Sequence, residues 1–138
     1  MAAPSPRPAL AFAGLPNTVK LQPMPRRTSQ SPAALRAARD FVRRVALAWP
    51  LQSAILFGSQ ARGSAHVGSD TDVAVLLHGQ PGNFVATKLA LDDVAYDVLL
   101  DSGIRIQPMP IWEDEWAHPE CYSNPRLLEN IAREGLAL

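Results

Sequence analysis

Two short apolar runs dominate the centre of this chain. Ala54–Phe57 (AILF) and Thr71–Leu77 (TDVAVLL) are joined by the loop GSQARGSAHVGSD. Each run is too short for a core helix and too apolar for a surface, so each reads as a buried strand. The second run opens on acids. Residues two apart on a strand share a face, which puts Asp70, Asp72, Ala74 and Leu76 on one side and Val73, Val75 and Leu77 on the other. Two such carboxylates, with Cα atoms ~6.5–7 Å apart at ~3.3 Å rise per residue, repel each other when ionised. Partial burial raises that cost unless something neutralises them. A divalent cation does so: Mg²⁺ takes one or two carboxylates and completes its shell with water and phosphate oxygens.

The loop before the acids has the parts to hold a phosphate. Gly58 lets backbone approach backbone closely, and Ser59 adds a hydroxyl. The stretch SQAR is suited to a helical turn whose N–H groups favour anions. Arg62 on that turn could grip phosphate oxygens with two parallel hydrogen bonds. Gly63, Gly68 and Ser69 permit a tight return into the strand, and His66 reads as a surface histidine in the connection. Loops are commonly rich in glycine, serine and aspartate, and SDTD alone would suit a strand-entry turn. The ordered combination favours a phosphate and metal site over a solvated turn.

The rest of the chain supplies a frame. Its 138 residues suit one domain, with 1–29 a proline-rich, flexible lead and 30–138 a single domain. Thirteen basic residues balance thirteen acidic ones, so no overall field draws the chain to nucleic acid or to an anionic membrane. The single cysteine, Cys121, excludes an internal disulfide and suits a reducing, cytoplasmic setting. No apolar run reaches the ~18–20 residues of a spanning helix.

Ser31 and Pro32 form a helix start. Leu35, Ala38, Val42, Val45 and Trp49 then form one apolar stripe, ended by Pro50, with Arg36, Arg39, Arg43 and Arg44 mostly on the solvated side. The spacing predicts a second helix over Asn83–Asp101 with Gly103 at its end. The segment GIRIQPMPI reads as a third strand, confined to an edge by its prolines. WEDEWAHPECYS reads as a loop, with Glu113, Asp114 and Glu115 a solvated acidic turn and Trp112 and Trp116 its hydrophobic anchors. Asn124 caps a last helix, PRLLENIARE, closed by Gly135. The expected fold is α+β, a small mixed sheet with helices mainly on one side.

GSQARG followed by SDTDVAVLL resembles the motif of the minimal nucleotidyltransferases, within the DNA polymerase beta-like superfamily. The order of elements is compatible with that fold from Ser31 to about Ile111. The resemblance implies that Gly58, Ser59 and Arg62, with Ser69 beside them, hold a nucleoside triphosphate such as ATP, and that Asp70 and Asp72 are the catalytic, Mg²⁺-binding pair. It implies transfer of a nucleoside monophosphate to a hydroxyl with release of pyrophosphate. Small stand-alone members resemble the antitoxins of toxin–antitoxin pairs, which implies AMP transfer to a tyrosine of a separately encoded HEPN-type partner. The family also carries a third carboxylate on a neighbouring strand. GIRIQPMPI offers only Arg105 and Gln107 there; if AYDVLL were the strand instead, Asp97 would be that acid. Two further readings stay open: a catalytically weak antitoxin that acts by contact, and a small-molecule (antibiotic) nucleotidyltransferase, for which little chain remains to hold the acceptor.

Overall fold

The computed structural model describes residues 31–66 and 68–138. The expectation of a proline-rich lead over 1–29 lies outside the described residues. Helix α1, Pro32–Ala46, starts as predicted: Ser31 Oγ accepts from the Ala34 N–H at 3.3 Å, and proline follows it. Strand β1 is Leu51–Phe57, longer than the apolar run alone. One helical turn, α2, covers Ser59–Arg62, and β2 covers Thr71–Leu77. Helix α3, Phe84–Ser102, is capped by the Asn83 side chain and ends on Gly103 with φ 76°. Strand β3 is Ile106–Trp112. Two elements form where a loop was expected: helix α4, Glu113–Ala117, and a 3₁₀ turn, Pro119–Cys121. Helix α5, Pro125–Glu134, is capped by Asn124, and a two-residue strand β4, Leu136–Ala137, follows it.

The strands form one sheet in the order β3–β2–β1–β4. β2 runs antiparallel to β1 and parallel to β3, and β4 runs antiparallel to β1. Helix α3 is the crossover that a parallel pair requires. β3 occupies an edge, the place its Pro108 and Pro110 require.

Each face of the sheet has its own core. Val73, Val75 and Leu77 of β2 pack with Phe41 and Val45 of α1 and with Leu91 and Val98 of α3. On the other face, Ala74, Leu76 and Ile111 meet Leu128 and Ile131 of α5, with Trp116 of α4 alongside. The two longest helices thus share one face, and the shorter α4 and α5 cover part of the other. The predicted stripe of α1 holds in part: its Ala38 and Val45 are buried, while its Leu35, Val42 and Trp49 pack half-buried against the same core. Ala34, Ala37 and Phe41 are buried with them. Alanines bring the helix close to the sheet, and the larger residues sit at the margins of the contact. Among the described residues, no helix is long and apolar enough to cross a membrane.

Candidate active site

Strand register assembles the site. Asp72 pairs with Phe57 across the antiparallel β1–β2 ladder, so the residue after Phe57 lies against its carboxylate. That residue is Gly58, at φ 74° and ψ −155°. A Cβ there would collide with Asp72 Oδ2 and stand 3.3 Å from its Cγ. Both the backbone angle and the contact therefore demand glycine.

Hydrogen bonds fix the turn that follows. The Arg62 N–H donates to the Gly58 carbonyl at 3.1 Å and the Ser64 N–H to the Ser59 carbonyl at 3.0 Å. Gly63, at φ 73°, ends the turn. The return is closed by His66 and Ser69: the His66 N–H donates to Ser69 Oγ at 3.0 Å, and the Ser69 N–H to the His66 carbonyl at 2.9 Å. The Thr71 N–H then donates to the Arg105 carbonyl at 2.9 Å, joining the acids to the start of β3. Gly58, Ser59, Arg62, Ser69, Asp70 and Asp72 thus lie at one end of the sheet, on two adjacent strands and the turn between them.

The electrostatics are strained. Asp72 is half-buried, and its pKa is raised above the ordinary 3.8, first by burial and then by the neighbouring charge of Asp70, against a smaller opposing pull from Arg62. Asp70 is exposed and meets Arg105 Nε at 3.5 Å. Arg62 reaches Glu134, the last residue of α5, at 3.7 Å. Both these pairs are largely solvent-exposed, so each contributes little and either can be exchanged for a ligand. Sequence reasoning missed Glu134 because it approaches only when α5 folds back across the sheet.

Register shows which residue stands beside Asp72 on the neighbouring strand. β3 is the strand beside β2, and Gln107 is the partner of Asp72 in the parallel ladder. Asp97, the alternative acid, lies within helix α3 and is exposed, so AYDVLL is not a strand. The acids of α4 are at the other end of β3, where Trp112 pairs with Leu77. There Glu113 Oε1 accepts from the Gly79 N–H at 2.9 Å and Glu115 Oε1 from the Trp112 N–H at 3.0 Å. Expected as a solvated turn, two of these acids instead hold backbone N–H groups at the start of a short helix, and Trp112, expected as an anchor, is buried in the core. Among the described residues, no three His, Cys, Asp or Glu side chains converge. Asp70 and Asp72 are the pair that could hold a divalent cation. That donor set leaves its remaining coordination positions to water and phosphate oxygens.

A mixed α+β sheet with a glycine-serine turn seated against a strand-borne carboxylate defines a class: small domains that present acids beside a glycine-serine turn at one end of the sheet. Residues 38–134 match the family model of the nucleotidyltransferase domain. The chain belongs to that family, whose activity in general is nucleotidyl transfer. Among solved structures, it is similar to a Sulfolobus solfataricus protein provisionally named a nucleotidyltransferase, with 18% identity and a TM-score of 0.45. That match covers 78% of this chain and 87% of the other. No curated protein matches the sequence.

Proposed function

We propose that this domain transfers a nucleoside monophosphate, AMP from ATP, to a hydroxyl acceptor. In this reading Asp70 and Asp72 hold Mg²⁺, and Gly58, Ser59, Arg62 and Ser69 hold the triphosphate. The observation that carries the reading is the seating of Asp72 against Gly58, which puts a destabilised carboxylate beside the glycine-serine turn. Bound between the acids and the triphosphate, Mg²⁺ would neutralise charge on the phosphates and orient them. Arg62 is free to leave its exposed contact with Glu134 for the triphosphate. An oxygen–phosphorus bond forms at the α-phosphate, the bond to the β-phosphate breaks, and pyrophosphate leaves with that electron pair.

The acceptor proton must go to solvent, because Gln107 stands where a third carboxylate could have taken it. This favours an acidic hydroxyl. A tyrosine, with a pKa of about 10, needs far less help than an aliphatic alcohol, which supports a tyrosine of a HEPN-type partner as acceptor. Arg105 on Asp70 and glutamine beside Asp72 also favour a second reading, a catalytically weak antitoxin acting by contact.

Incubation with α-labelled ATP, Mg²⁺ and the product of the adjacent gene separates the two. Transfer predicts covalent label on the partner, lost in Asp70→Asn and in Asp72→Asn. Unlabelled partner that is still inhibited by both variants would overturn transfer in favour of contact.

A further inference from the structure

The outward side of the α1–α3 layer is not the polar surface that such helices usually present. Val85, Leu89, Tyr96 and Leu100 of α3 are between 58% and 66% exposed. At ~100° per residue they fall within roughly 60° of one another, so they form one apolar stripe along the helix. Asp93, Asp97 and Asp101 follow one another at four-residue spacing, which puts the three acids in a row beside that stripe. Asp101 reaches Arg44 of α1 at 2.5 Å, so the acidic row lies on the side of α3 that faces α1.

Helix α1 carries the opposite sign. Arg36, Arg39 and Arg43 recur at three- and four-residue steps on its exposed side, and Leu47, 86% exposed, continues the row past the helix end. Charges within reach of each other do pair: Asp40 meets Arg43 and Arg44, and Arg44 meets Asp101. Arg36, Arg39, Asp93 and Asp97 are exposed and have no ion-pair partner among the described residues. An exposed apolar stripe bordered by unpaired charge has the composition of an interface, with an apolar centre and a polar rim.

We propose that this layer is the surface through which two copies of the chain pair. It carries both signs on neighbouring helices, and a twofold rotation sets each sign over the other. Arg36 and Arg39 of one copy then meet Asp93 and Asp97 of the other, twice over. The apolar stripe covers Leu47 and the arginine stems, which bury their methylenes while the guanidinium stays with its acid. A partner of one charge sign would satisfy one row and be repelled by the other, whereas a second copy satisfies both.

Pairing here leaves the candidate active site open. Asp72 shares its face of the sheet with Ala74 and Leu76, which pack towards α5, opposite the α1–α3 layer. Each chain also holds both of its cores by itself, so a dilute chain is a folded monomer and the pair forms as concentration rises.

Sedimentation equilibrium of the full chain tests the pairing. The expected result is a monomer–dimer equilibrium that shifts towards monomer at high salt. Asp93→Arg with Asp97→Arg makes the facing rows both basic, and Arg36→Asp with Arg39→Asp makes them both acidic. Either double variant alone should dimerise at least about tenfold more weakly than wild type. Mixed in equal amounts, the two should recover a dimer with one chain of each kind, because every facing pair is again of opposite charge. Circular dichroism verifies that both variants are folded, and Tyr96→Ser with Leu100→Ser, expected to weaken the dimer likewise, serves if either is not. A wild-type chain that stays monomeric at high micromolar concentration overturns the proposal. So does a dimer that no variant weakens, which would use another face, and so does a mixture that fails to recover.

Discussion

Asp72 carries its charge where burial and Asp70 both oppose it. The folded carboxyl therefore holds its proton to a higher pH than the unfolded one. As pH rises from 3.8, the unfolded chain releases the proton first and stability falls, until the folded group has also ionised. Below that window the residue contributes no such penalty. Asp72→Asn should thus raise the melting temperature at neutral pH, with the difference closing once pH drops below 3.8. Mg²⁺ should stabilise the wild type at neutral pH and leave Asp72→Asn unmoved, since a cation that binds only the folded site adds stability by mass action. A variant no more stable than wild type at neutral pH would contradict the penalty. Asp72 and Gly58 were both legible as site residues, because each belongs to a local pattern. Gln107 was legible only as a strand residue lacking an acid. Its place beside Asp72 required knowing which strand pairs with β2 and in what register.

Helix α3 shows what periodicity can and cannot decide. Its apolar residues occur on two sides. Leu91, Ala95 and Val98 are buried, whereas Val85, Leu89, Tyr96 and Leu100 are largely exposed. A helix apolar on both sides is recognisable as a helix, but nothing local says which side faces the sheet. Leu91→Ala should cost ~2–5 kcal/mol through lost burial and a residual cavity. Leu89→Ala, at 59% exposure, should stay within ~0.5 kcal/mol. Urea denaturation of both variants checks this; equal losses would show that α3 packs by its other face. The same ambiguity displaced the stripe of α1 towards Leu35 and Val42. In α4 the difficulty was different. Glu113, Asp114 and Glu115 read as a solvated turn, yet Glu113 and Glu115 accept backbone N–H groups, and such bonds support a short helix only once β3 and the Gly79 turn are in place.

At the scale of the molecule, the sheet is completed by its last residues. β4 covers the edge of β1 through the Ile55–Ala137 and Leu56–Leu136 pairs, and the Leu138 N–H donates to the Ala54 carbonyl at 3.0 Å. Gly135 permits this return, because a Cβ there would collide with Ile55 and with the Ile131 carbonyl. Removing Leu136–Leu138 would bare part of the β1 edge and the core surface that half-buried Leu138 packs against. The shortened chain should melt at lower temperature and self-associate more readily, as unprotected strand edges do. Scanning calorimetry and light scattering on the two chains read both effects, and an unchanged melting point would show that β4 is dispensable.

By itself the sequence determined what short-range physics controls. The helix caps at Ser31, Asn83 and Asn124, the buried strands, the edge position of a proline-bearing strand, and the turn from Gly58 to Arg62 all follow from neighbours a few residues apart. Only the tertiary structure decided what depends on strand order and register. Gly58 lies against Asp72, Gln107 beside Asp72, Arg105 on Asp70, and Arg62 near Glu134. Each of these links residues that the chain keeps well apart and that approach only when both faces of the sheet have packed.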